Sequence, residues 1–102
     1  MIRRLQSYQE AGADVLYAPG LTSREEIAAV VTSVDRPVNV LMDARFTLAQ
    51  LSELGVKRVS AGSALSRAAL GAFLRGAREL REHGTFTFAR DAVSFQEISG
   101  KF

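Results

Sequence analysis

Apolar positions along this chain follow two alternating rhythms. Three short runs have strand length: Asp14 to Ala18, Val38 to Met42 and Arg58 to Ala61. They are rich in Val and Leu and bounded by Pro or Gly, as buried parallel strands are. Around them, apolar residues recur every three or four positions, the spacing of a helix face. Ile2, Leu5 and Tyr8 mark a first helix over residues 2–11, closed by Gly12. Ile27, Val30, Val31 and Val34 mark a second. Thr22 with Glu25 predicts its capping box, in which hydroxyl and carboxylate each accept an end N–H. Thr47 with Gln50 repeats that start, with Leu48, Leu51 and Leu54 expected inside and Gly55 closing a short helix. A long helix opens at Gly62-Ser63, runs to about Glu82 and stops at Gly84. Ser94 with Glu97 starts a last short helix in the tail.

Strands that alternate with helices predict an α/β fold with a parallel sheet. The expected organisation is a single domain, 1–102, with βα units at about 14–34, 38–54 and 58–82 and a tail at 85–102. A weak internal repeat supports it: Glu10-Ala11-Gly12 then Ala18 matches Glu53-Leu54-Gly55 then Ala61. Each is a helix end feeding a buried strand. The 102 residues are too few for a complete (β/α)₈ barrel, which takes roughly 250. Crossover helices on one side of three strands leave the other side bare. In a barrel that side is the packed interior. Here a partner, the tail or a second copy must cover it.

Composition narrows the function classes. Apolar residues are 47% of the chain, normal for a globular protein. Thirteen basic residues are mixed with 11 acidic ones for a net charge of +2. That balance gives no steering toward nucleic acid or an acidic membrane. With no Cys there is no disulfide or thiolate metal site, and a cytoplasmic home is expected. One His cannot build a His-rich metal site. Met1 to Leu5 carries charge with no apolar run behind it, unlike a secretory signal. No stretch reaches the length of a membrane span.

Three segments, taken in order, carry a resemblance. They are Arg4-Leu5-Gln6-Ser7-Tyr8-Gln9-Glu10-Ala11-Gly12-Ala13-Asp14-Val15-Leu16-Tyr17-Ala18-Pro19-Gly20-Leu21, then Arg36-Pro37-Val38-Asn39-Val40-Leu41, then Gly55-Val56-Lys57-Arg58-Val59-Ser60-Ala61-Gly62-Ser63-Ala64-Leu65. They resemble the sixth, seventh and eighth strands of the isocitrate lyase and phosphoenolpyruvate mutase family. The likeness covers residues 2 to about 86. It implies the last three strands of a (β/α)₈ barrel, in an enzyme that makes or breaks C–C or C–P bonds in small α-oxycarboxylates. It also implies Mg²⁺ in the complete enzyme, a carboxylate or phosphonate substrate, and a homo-oligomer with exchanged late helices. The family's metal-binding acids and mobile catalytic loop lie upstream and have no match here, so no metal is expected on this chain alone. Relatives that cleave methylisocitrate carry a Glu where Pro19 stands and an Asn where Leu41 stands.

Barrel chemistry sits at the C-terminal ends of strands. Alternation puts Val15, Tyr17 and Pro19 on one face, and Asn39, Leu41 and Asp43 on one face. The substrate-pocket candidates are therefore Tyr17, Asn39, Asp43, Gly62 and Ser63. Tyr17 either lines a pocket or packs. Asn39 either bonds a substrate oxygen or is a satisfied interior amide. Asp43 with Arg45 either meets a ligand or forms a solvated turn. Gly62-Ser63 opens a helix whose N–H groups suit phosphate or carboxylate, although many such turns bind nothing. On the long helix, Leu65, Ala69, Ala72, Phe73, Gly76 and Leu80 form an apolar side that Leu70, Leu74 and Ala77 widen. That width fits either a subunit contact or a well-covered core helix. Arg75, Arg78, Arg81 and Glu82 make its wet face, and His83 sits favourably at its negative end.

Three functional readings follow. The first is the C-terminal part of a Mg²⁺-dependent lyase or phosphonomutase, inactive alone. The second is a non-enzymatic interaction module that folds by association. The third is an unrelated small α/β domain that holds phosphate at Gly62-Ser63.

Overall fold

The structure, a computed structural model, describes residues 1–102 and divides into two compact units, Met1–Gly62 and Ser63–Phe102. The first unit contains α1 (Ile2–Glu10), β1 (Leu16–Tyr17), α2 (Arg24–Thr32), β2 (Val38–Leu41), α3 (Leu48–Glu53) and β3 (Arg58–Ser60). Its strands form one parallel sheet in the order β1-β2-β3. The second contains α4 (Ala64–His83), a 3-10 turn at Thr87–Asp91 and α5 (Phe95–Ser99). The boundary thus falls between the third strand and the helix that follows it.

The strands are shorter than their apolar runs. β1 is an edge strand and pairs only where β2 faces it, Leu16 opposite Val38 and Tyr17 opposite Asn39. β2 meets β3 through Asn39 with Arg58, Val40 with Val59 and Leu41 with Ser60. One sheet face carries Leu16, Ala18, Val38 and Val40, and the helices answer with Leu5, Ile27, Val30 and Leu51, all buried. Burying a side chain of this size contributes roughly 1.5–3 kcal/mol, so this one-sided layer holds the unit together. Leu48 does not join it. At 72% exposed, it points away as the first residue of α3, while Phe46 and Leu54 pack against the core instead.

The internal repeat extends to individual hydrogen bonds. After α1, Gly12 donates to Gln9 O (3.0 Å) and Ala13 to Tyr8 O (3.0 Å). After α3, Gly55 donates to Ser52 O (2.9 Å) and Val56 to Leu51 O (3.1 Å). Both are the paired bonds of a Schellman ending, which needs a left-handed residue. Gly12 has φ +100° and Gly55 φ +89°. A Cβ on Gly55 would also stand 2.8 Å from a Val31 methyl.

The α2 capping box is one residue later than Thr22 and Glu25 suggest. Ser23 is the N-cap, and its hydroxyl accepts the Glu26 N–H (3.2 Å). The Glu26 carboxylate takes the N–H of Ser23 (3.1 Å) and also that of Thr22 (2.9 Å). One carboxylate there satisfies two end donors, which Glu25 would not do. The Thr47–Gln50 box forms as expected. Ser94 accepts the Glu97 N–H at 3.1 Å.

In the second unit, Gly84 ends α4 in the left-handed conformation, φ +63°. The chain then turns back on Glu79, whose carboxylate accepts the Thr85 hydroxyl (2.8 Å), both the N–H (2.7 Å) and hydroxyl of Thr87, and the Phe88 N–H (3.1 Å). These donors hold its pKa below the ordinary value, the Thr87 hydroxyl most of all. Phe88 lies on Gly76, the one buried residue of α4, where a Cβ would come within 3.1 Å of the ring. The rest of the apolar side is open, with Leu65 76% and Phe73 69% exposed.

The Ser23 assignment has a direct check. Ser23→Ala should lower unfolding free energy in urea by about 1 kcal/mol. Thr22→Ala should change it little, because Glu26 still holds the Thr22 N–H.

Candidate functional site

The sheet face away from the helices carries a row of polar groups. Register places Tyr17, Asn39 and Arg58 side by side on β1, β2 and β3. Asn39 is 1% exposed and Tyr17 is 42% exposed. The short amide is enclosed because longer neighbours flank it. Its Oδ1 accepts from Arg58 Nε (3.0 Å) and from the Ser60 hydroxyl (3.0 Å). No buried side-chain polar atom is left without a partner. Arg58 and Ser60 were not among the candidates from sequence. The signal that finds them is register: alternation alone puts Arg58 and Ser60 on one face, but only the pairing sets both beside Asn39.

Asp43 lies beyond the end of β2 and is not brought to this row. Its carboxylate is bound by Arg45 in three ways: an ion pair with Nη2, the Arg45 Nε (2.8 Å) and the Arg45 N–H (2.9 Å). The Arg45 guanidinium first, then its backbone N–H, hold the Asp43 pKa down from the ordinary 3.8 to about 2. A carboxylate so engaged forms a self-contained turn. Beside it, Asp43, Met42, Phe46, Leu48, Leu51 and Val59 border an apolar hollow of about 350 Å³.

Gly62 and Ser63 fall on opposite sides of the unit boundary. Gly62 has φ +56°, and a Cβ there would stand 3.2 Å from Leu41 Cδ1. Ser63 is the N-cap of α4 but makes no side-chain cap bond; its hydroxyl accepts Arg67 Nε at 3.1 Å. Nowhere do three or more His, Cys, Asp or Glu side chains cluster as metal ligands would. With Asp43 already bound to Arg45, the side chains present do not fit a Mg²⁺ site. No helix is long and apolar enough to cross a membrane.

Comparison with known proteins matches this arrangement. The profile of the phosphoenolpyruvate phosphomutase family matches residues 1–81. A protein from Burkholderia cenocepacia J2315, provisionally described as a lyase/mutase, is 57% identical, with a TM-score of 0.90 over 97% of this chain and 37% of that one. A 2,3-dimethylmalate lyase, described as a member of the PEP mutase/isocitrate lyase superfamily, is 25% identical, with a TM-score of 0.73 over 84% of this chain and 32% of that one. An uncharacterized protein from Mycobacterium tuberculosis is 38% identical over 81 residues, 79% of this chain and 31% of its own length. The chain therefore spans about a third of the length of these relatives.

The Asp43 turn yields a pH prediction. A carboxylate whose folded pKa is depressed stabilises the fold above its unfolded pKa and loses that contribution as pH falls through its folded one. The Asp43 carboxyl carbon should titrate by NMR with a midpoint near 2, and in Arg45→Ala it should return toward the ordinary aspartate value. A normal midpoint in the unmodified chain would remove the turn from the account.

Proposed function

The chain belongs to the phosphoenolpyruvate phosphomutase family, and from that premise we propose that it supplies three consecutive βα units to a barrel enzyme of that family. The reaction class is the making or breaking of C–C or C–P bonds in small carboxylates or phosphonates. The observation that carries this reading is the sheet itself. Three parallel strands with one face on helices and a polar, half-open opposite face are a segment of barrel wall. In this reading Tyr17 and Asn39 belong to the interior wall, while Asp43, Gly62 and Ser63 stand at the mouth. The family's Mg²⁺ has no ligand set on this chain, so its ligands come from the rest of the barrel. The chemical step needs charge stabilisation that these residues do not provide, and the chain alone is inactive. We place the complete enzyme in the cytoplasm, with no nucleic-acid or membrane partner.

A second reading, an interaction module that folds by association, is favoured by α4. Leu65, Leu70, Phe73 and Leu74 are all exposed on it. An apolar patch of this kind on a folded chain marks a contact surface, and a second copy of the chain is the partner we propose for it.

Turnover decides between an active chain and a barrel segment. The purified chain with Mg²⁺ and either phosphoenolpyruvate or 2,3-dimethylmalate should show none. Supplying the part of the Burkholderia cenocepacia protein outside the matched region should produce it. Clear turnover by the chain alone would overturn the reading.

A further inference from the structure

The polar row on the open sheet face joins one amide oxygen to one guanidinium. Asn39 Oδ1 is occupied twice, by Arg58 Nε and by the Ser60 hydroxyl. Arg58 bonds Asn39 through Nε alone and makes no ion pair in the chain, where the one ion pair is Arg45 with Asp43. Asn39 fixes the guanidinium plane through Nε. An Arg held in that way presents a planar fork suited to a carboxylate.

Position separates this row from the mouth. Arg58 is the first residue of β3, and Asn39 is the second of β2. Asp43 lies four residues beyond Asn39, about 13 Å along an extended chain. Substrate chemistry belongs at the far ends of the strands, and this row lies a layer below. Once the face is covered, the guanidinium is enclosed, and an enclosed charge requires an opposite one.

We propose that Arg58, oriented by Asn39, is a clamp for a carboxylate side chain on the barrel strands that complete this sheet, and that this pairing selects their docking. The inference rests on the barrel reading above. The acceptor is an Asp or Glu facing inward on those strands.

The test measures binding of the full chain to the part of the Burkholderia cenocepacia protein outside the matched region. The unmodified chain should bind. Arg58→Met, checked by circular dichroism for an unchanged fold, should bind on the order of 30-fold more weakly or worse. Arg58→Lys should recover part of the loss. Should Arg58→Met fail to fold, replacing each inward Asp or Glu of the added segment in turn gives the same answer from the other side: one substitution should reproduce the loss. Where Arg58→Met folds, combining the two should cost no more than either alone. No binding by the unmodified chain overturns the barrel reading and the clamp with it. Equal binding by unmodified and Arg58→Met chains, or no sensitive acid on the segment, overturns the clamp and leaves the barrel reading standing. Saturable binding of free oxalate that needs Arg58 and does not compete with the segment also overturns it, in favour of a small-anion site.

Discussion

The first unit is built around a sheet with only one face in the core. Leu16, Ala18, Val38 and Val40 meet the helices on that side. On the other side stand Tyr17, Asn39, Leu41 and Arg58, a mixture of half-exposed apolar groups and one enclosed amide. Parallel sheets are almost always covered on both faces, because their crossover helices and their strands bury apolar surface in opposite directions. Much of what is unusual here follows from that constraint. The strands are short, the amide finds its partners Arg58 and Ser60 on its own sheet face, and the arginine beside it makes no ion pair within the chain.

The second unit meets a different demand. One carboxylate, Glu79, gathers the backbone and hydroxyl donors of the returning chain, and one glycine, Gly76, lets Phe88 close on the helix. Those contacts fold the segment back without covering it. Its long apolar side remains a surface. Both units are locally well formed, and the chain spans about a third of the length of its relatives.

Much of this was legible in the residues. Gly12 and Gly55 announced their helix endings, and the repeated Glu-x-Gly then Ala spacing recurs as repeated hydrogen bonds. Periodicity found the buried face of α2 at Ile27 and Val30. It failed at Leu48, because the first residue of a short helix has no turn before it to aim its side chain inward. It was one residue out at Ser23, because Thr22-x-x-Glu25 and Ser23-x-x-Glu26 are equally good patterns and only the path of the chain chooses between them. Among the candidate site residues, Asn39 was visible as a polar interruption in an apolar strand. Arg58 was not: a charged residue at a strand start reads as solvated until the register sets it beside an amide. Asp43 was visible, and the structure binds it to Arg45, its own neighbour two residues on.

The proposed covering of the open sheet face and of the α4 surface by a partner is tested most directly by mass in solution. Sedimentation over a dilution series should show reversible self-association, with dye-binding apolar surface appearing as the protein is diluted. A well-folded monomer at every concentration, with no exposed apolar surface, would contradict the account.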